Sequence, residues 1–496
     1  MPEKLYLYLV VGVILSLIIG GLIGYYVAYE TAPSTVTTVV KTITTGAPAK
    51  TVTVTTSVAI TKTVERVITT TVPTVQPPKV IRIFTSPEMV SYWREAFEKA
   101  KEKWPEIAEF ELKIETPPDP KTAFITAFEA GDAPQIILVD SFEVPAFVEA
   151  GYLYPLTEWL AAWPDYFAFP KSMIDMVSWR GGVYALPFQT DVRVIWTRKD
   201  ILKEKGIGWP YQAMSLDELI EVSRKLKKLG VKYPLCLESG TNWGEGTTMQ
   251  AFLPLLWALG GKLYDWSTGK WVVTSEAHLK VLEFYYTIYK EGLANPDVPK
   301  VARPWEICLS AFQKGETVFY FDGNWALGAF RTGGDYEIPN WEERVGWMKI
   351  PGLPGKFGSA SGGWTYAIAM KGRGIPPDWK DVVWKIYSMF YSPEIMAKYC
   401  IERPWLPPRV DVAEREDYKK ELPLFVEMAR ELLPITRYRP ALPEYPKISL
   451  EIQKMVEEVA TLKKTPLEAL KEFALRVRDI VGSDKIIDEL GLLSKG

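Results

Sequence analysis

The pattern of apolar and polar positions divides the chain into three zones. Leu5 to Tyr29 is a run of 25 residues without a charge. As a helix rising 1.5 Å per residue, such a run crosses a hydrocarbon core of about 30 Å with some tilt. Tyrosines stand at both of its ends, where an interfacial belt would place them. The run is longer than the apolar part of a signal peptide, and no Cys follows it. Residues 1–30 therefore read as a transmembrane anchor or uncleaved signal. Lys4 on its near side puts the bulk of the chain on the outer face. The next stretch, Thr31 to Gln76, holds 17 Thr among 46 residues, has no aromatic, and is interrupted by Pro33, Pro48 and Pro73. It lacks the large apolar side chains a core requires, so residues 31–78 read as a stalk.

From Lys79 onward short β runs alternate with amphipathic helices. Val80 to Phe84, Phe110 to Glu115 and Gln135 to Val139 predict strands. Between the first two, Ser86 and Pro87 mark a helix start, and Trp93, Ala96, Phe97 and Ala100 keep helical spacing. Ser215 with Glu218, and Thr465 with Glu468, have the spacing of capping boxes. Strand–helix–strand order predicts an α/β fold with a parallel sheet.

Charge narrows the function classes. The formal net charge is −3 and no long single-sign run occurs, which speaks against nucleic acid as a partner. The one histidine, His278, leaves no His-based triad or His-rich metal site, and its setting near a helix start predicts a solvated position. Cys236, Cys308 and Cys400 form no Cys-x-x-Cys pair; one disulfide among them is open. Scarce Asn and Gln beside abundant Glu, Lys, Arg and Pro match a thermophile's composition. No P-loop motif and no EF-hand-like loop is present, so neither metal nor cofactor is expected.

Aromatic residues are abundant, with 19 Trp, 25 Tyr and 20 Phe. Several tryptophans sit in glycine-rich turns: Trp243 beside Gly244, Trp325 after Gly323, and Trp364 after Gly362 and Gly363. Flat rings pack on the C–H patches of sugars, while acids, Arg and amides bind the hydroxyls. For any single Trp the competing reading is ordinary burial.

Several stretches carry a family likeness in a consistent order: Gly182 to Asp191 followed by Val194 to Ile207, Phe312 to Glu316 with Gly323-Asn324-Trp325, Pro393-Glu394 before Leu406 to Arg409, and Arg439-Pro440 with Pro443-Glu444-Tyr445. In these the chain resembles family 1 extracellular solute-binding proteins, the group that includes maltose- and trehalose-binding proteins. Gln189 departs from the pattern, which commonly has an aromatic there. The resemblance implies a two-lobed α/β periplasmic-binding-protein-like fold (type II) with a hinge, ligand trapped in the cleft, and no catalysis. Lobe one is expected at 79–188 and 348–408, lobe two at 189–347 and 409–496. Carried over residue by residue, it implies ligand contacts from Glu88, Asp140, Asp191, Trp325, Gly363, Trp364, Arg439 and Tyr445; Trp243 joins them from its glycine-turn setting. The implied partners are a small carbohydrate, an ABC permease with its ATPase as separate chains, and the membrane through the N-terminal helix. Two alternatives stand beside this reading. One is the same fold binding a peptide or other solute. The other is a surface glycoside hydrolase, which needs two carboxylates about 5–9.5 Å apart, with Glu238, Glu245 and Asp265 available.

Overall fold

Ile136–Asp140 reads Ile-Ile-Leu-Val-Asp, and its four apolar residues are all buried. A strand covered on both faces needs such a run, and this one lies at the centre of a five-stranded sheet. The computed structural model describes residues 79–370 and 379–493; the expected anchor and stalk lie outside the described residues. In this first sheet the order is Phe110–Glu115, Lys79–Phe84, Ile136–Asp140, Trp364–Ile368, Ala185–Pro187. The first three strands are parallel; Trp364–Ile368 runs antiparallel to both of its neighbours. Helix Val90–Lys103 buries Tyr92, Trp93, Ala96, Phe97 and Ala100, the stripe its spacing predicts. It packs on helix Lys380–Phe390, with Trp93 stacked on Phe390 at 4.1 Å between ring centroids.

The second lobe is built on a four-stranded sheet in the order Val345–Met348, Arg193–Arg198, Phe319–Gly323, Leu235–Cys236. Arg193–Arg198 is antiparallel to both of its neighbours. Cys236 and Cys308 form a disulfide that joins this sheet to helix Pro304–Lys314, whereas Cys400 is a buried free thiol. A third, smaller sheet holds Ile350–Pro351, Phe357–Ser361 and Thr436–Tyr438. Strands Ile350–Pro351 and Phe357–Ser361 pack on helix Leu253–Ala258. Chain segments crossing between the lobes lie side by side: Thr190 bridges Leu406, its hydroxyl is 3.0 Å from that of Ser361, and Ser361 pairs with Tyr438.

The helix caps follow the sequence. Thr465 and Glu468 close a reciprocal capping box, while Ser215 accepts from the Glu218 N–H at 3.1 Å. His278 departs from expectation. It is fully buried on helix Glu276–Lys290, with Nδ1 2.7 Å from the Ser275 hydroxyl. Its position matches the apolar stripe of Val281, Leu282 and Tyr285, one turn and two turns on. Burial pushes its pKa down to about 3, so the ring is neutral. Among the described residues no helix is long and apolar enough to cross a membrane.

Candidate functional site

Parallel strands of an α/β sheet deliver the residues at their carboxyl ends to one rim. In lobe one these are Ser86 to Glu88 after the first strand and Thr116 to Pro118 after Phe110–Glu115. In lobe two, Asn324 and Trp325 follow Phe319–Gly323. The two rims enclose a cavity of about 830 Å³, lined by Glu88, Thr116, Phe188, Trp325, Trp364 and Trp405 among others. That is the size of a small-molecule site. Trp364 is 44% exposed, which is unusual for so large a ring and leaves it free to meet a ligand. Trp325 lies 5.3 Å from Trp405 at 31° between ring planes. Glu88 accepts from the Ser86 hydroxyl at 2.6 Å. Three expected residues, Glu88, Trp325 and Trp364, thus share one cavity. Trp405 joins them and was missed, although its setting between Pro404 and Pro407 sets it apart from a periodic core position.

A second constellation gathers around Arg439. One guanidinium nitrogen donates to Asp140 at 2.5 Å and to the Ser141 hydroxyl at 3.1 Å. The other terminal nitrogen reaches Glu245 at 3.4 Å, and the plane lies 4.6 Å from the Phe142 ring centre. Burial opposes the guanidinium's charge, but Asp140 and Glu245 outweigh it and raise its pKa. Glu245 also accepts from the Tyr445 hydroxyl at 2.6 Å and from Ser449. Burial nevertheless raises the Glu245 pKa, against the pull of Arg439. Asp140 on lobe one and Glu245 on lobe two are therefore joined through a residue of the crossing segment. A second cavity of about 590 Å³ adjoins Arg439, with Trp257 and Trp266 in its lining.

The remaining expected residues are occupied differently. Tyr445 is fully buried, so its ring has no face for a ligand; it meets Phe142 edge-on at 5.6 Å. Asp191 is 4% exposed and accepts from Arg193 and from the Gly362 N–H, which commits it within the crossing segments. Gly363 contributes backbone: its carbonyl accepts from the Ser141 N–H at 3.1 Å. Its φ is +134°, and a Cβ there would come 2.7 Å from the Gln189 carbonyl oxygen. Trp243 rests on Gly246 and packs against Trp305 at 4.4 Å, away from the lining of the 830 Å³ cavity.

Behind Trp325 lies an acid pair with a tyrosine between. The Tyr320 hydroxyl is 2.8 Å from Glu238 and 2.6 Å from Asp322, and Asp322 also accepts from the Gly323 N–H at 2.7 Å. One hydroxyl proton cannot serve both acids, so a second proton resides on the pair. Burial raises Glu238 well above its ordinary value, with Asp322 adding to it, and burial raises Asp322 to about 6. Among the described residues no group of three or more His, Cys, Asp or Glu could hold a metal ion.

Comparison with known proteins agrees with this architecture. The profile described as bacterial extracellular solute-binding protein matches residues 85–397. An uncharacterized ABC transporter extracellular-binding protein of Pyrococcus horikoshii is 30% identical over 228 residues, 45% of this chain and 48% of that protein. The chain thus spans about half the length of this curated relative. A maltotriose-binding protein of Pyrococcus abyssi is 22% identical over 331 residues, 63% of this chain and 62% of that one. Among solved structures, maltose-bound MalE3 of T. maritima superposes with a TM-score of 0.69 at 23% identity, covering 81% of this chain and all of that one. An α-D-tagatose-bound solute-binding protein of Thermotoga lettingae gives 0.68 at 24% identity, covering 82% of this chain. With the two-lobed α/β fold and the profile match over well more than half of its length, the chain belongs to the bacterial extracellular solute-binding protein family.

Proposed function

We propose that this protein captures a sugar, a di- or oligosaccharide of the maltose or maltotriose kind, and hands it to an ABC importer without altering it chemically. The observation that carries this reading is the cavity between the lobes where Trp325, Trp364 and Trp405 converge with Glu88. Indole faces suit sugar C–H patches, and the charged groups of the lining, Glu88, Asp335 and Glu402 against Arg331 and Arg403, nearly balance. Such a mixture suits a neutral polyol better than a phosphate, which would call for clustered cations. Maltose and maltotriose are named for two of the relatives, and this supports the same class here. Glu88, Trp325 and Trp364 are the proposed contacts, with Asp140 and Arg439 at the cleft floor and Asp191 and Gly363 shaping the crossing segments. In the same proposal Leu5 to Tyr29 anchors the chain, Thr31 to Gln76 spaces the lobes from the membrane, and permease and ATPase are separate chains.

The test is calorimetric titration and thermal shift with maltose, maltotriose, trehalose, a tripeptide and spermidine. A ligand at 100 times its Kd adds about 2.7 kcal/mol to stability, a visible rise in Tm. The expected result is a shift with one or more sugars, no turnover of that sugar, and a clearly smaller shift in Trp325→Ala. A shift with the peptide or polyamine alone overturns the sugar assignment. Hydrolysis of the bound sugar overturns the passive role.

A further inference from the structure

Trp325 is held in an unusual way. Its six-membered ring lies over Gly323, so closely that a Cβ there would sit 1.9 Å from the ring. Gly323 is also the residue facing Arg193 across the antiparallel ladder. The Arg193 guanidinium lies 4.6 Å from the Trp325 ring centre. One side of the platform is therefore packed by protein before any ligand arrives.

Arg193 itself has little freedom. Its side chain is 7% exposed. Nε donates to Gln250 Oε1 at 2.8 Å. Nη1 donates to the Asp191 carboxylate and reaches the Ala360 carbonyl at 3.4 Å. Its backbone N–H donates to the Ser359 hydroxyl at 2.8 Å, and that hydroxyl donates back to the Arg193 carbonyl at 3.0 Å. Asp191 and Gly362 belong to segments that cross between the lobes, and Ser359 and Ala360 lie on the strand that leads into one of them. The same guanidinium thus touches the crossing segments on one side and the indole on the other.

We infer that Arg193 is a positioning residue: it fixes the Trp325 indole and ties its orientation to the segments that cross between the lobes. This rests on the reading of Trp325 as a sugar platform. A buried guanidinium over an indole adds a stacking attraction with a set plane, which a lysine ammonium at the same place does not reproduce. An indole fixed in advance costs no ordering when a sugar arrives. Sequence gives no hint of the role, because Arg193 reads there as one polar residue at the head of an apolar strand.

The experiment is a double-mutant cycle in the full chain, with maltose and maltotriose as titrants and melting curves to establish folding. Arg193→Lys keeps the charge beside Asp191. It is expected to weaken binding about 5- to 30-fold in the parent protein, the scale of a desolvated cation–π contact. In the Trp325→Ala background it should cost nothing further, since its effect runs through the indole. Equal losses in both backgrounds overturn the inference. Gln250→Ala, which releases Nε with the ion pair intact, should show the same pattern at smaller size and serves if Arg193→Lys does not fold. A ligand-free readout separates this inference from the sugar assignment. The near-ultraviolet circular dichroism difference between parent and Trp325→Phe reports the indole's fixed setting, and it should shrink when measured in the Arg193→Lys or Gln250→Ala background. If neither sugar binds the parent protein, the sugar reading falls, while that spectral difference still decides the role of Arg193. An unchanged difference spectrum overturns it.

Discussion

Two acid clusters, one half-buried and one buried, are organised in opposite ways. Asp140 and Glu245 share Arg439, so their charge is met by a guanidinium. Glu238 and Asp322 share only the Tyr320 hydroxyl, so their charge is met by a retained proton. The two arrangements place different demands on the solvent, and in the second Glu238 Oε2 is buried without a hydrogen-bond partner. Beside Arg439 burial raises the Glu245 pKa against the guanidinium's pull, whereas a proton shared by two acids leaves as pH rises. The first cluster spans lobe one, lobe two and a crossing segment, where charge fixes relative placement. The second lies inside lobe two, where neutrality limits the cost of burial.

The sharpest way to break the comparison is to remove the cation. Arg439→Met leaves two acids facing each other without their partner, and the side chain it replaces is 5% exposed. A loss of about 3–5 kcal/mol in unfolding free energy is expected by calorimetry, the range for breaking a buried pair from one side. A loss below about 1 kcal/mol would show that water compensates beside Asp140 and Glu245.

The second prediction follows from the retained proton. Carboxyls whose folded pKa lies above the unfolded value bind more protons folded than unfolded. Their contribution is fully present below about pH 4 and is lost as pH rises through about 6, the Asp322 value, and beyond for Glu238. Stability should fall by about 1–3 kcal/mol between pH 5 and 8 from this source. Glu238→Gln supplies a permanent donor in place of the acid and should flatten that slope, read as Tm against pH. A parallel slope in the variant would place the pH dependence elsewhere.

The smallest expected effect concerns the cavity. Trp405→Ala should weaken sugar binding about tenfold by titration, since a single aromatic contact contributes about 0.5–1.5 kcal/mol beyond its buried area. It should leave the pH slope untouched, which separates the ligand-facing indoles from the acids behind them.

Much of the fold is legible in the chain because it rests on local pattern. The apolar run of Ile136–Asp140 and the stripe on Val90–Lys103 each announce their own element. The site is less legible because its contacts are distant in sequence. Asp140 and Arg439 are 299 residues apart, and nothing local tells an acid awaiting ligand from one already paired. Asp191 and Tyr445 carry the residue types a sugar site uses, but the fold spends both on internal hydrogen bonds. His278 could have been placed from Val281, Leu282 and Tyr285, whose spacing puts it on the buried face; its nearness to a helix start outweighed that signal. Trp405 has no glycine beside it, and a glycine-rich turn is the signal that singles out the other tryptophans.

The disulfide has a consequence for how the protein is made. Cys236 and Cys308 are 72 residues apart and belong to a strand and a helix of lobe two. Bonds of this kind form and persist on the oxidising side of a membrane. Once formed, the bond closes a long loop of lobe two and removes that loop's freedom from the unfolded chain. Cys400, the one other thiol, is fully buried, and burial keeps it protonated. A shielded thiol does not attack a neighbouring disulfide. In the folded protein Cys400 is therefore no competitor for the Cys236–Cys308 bond.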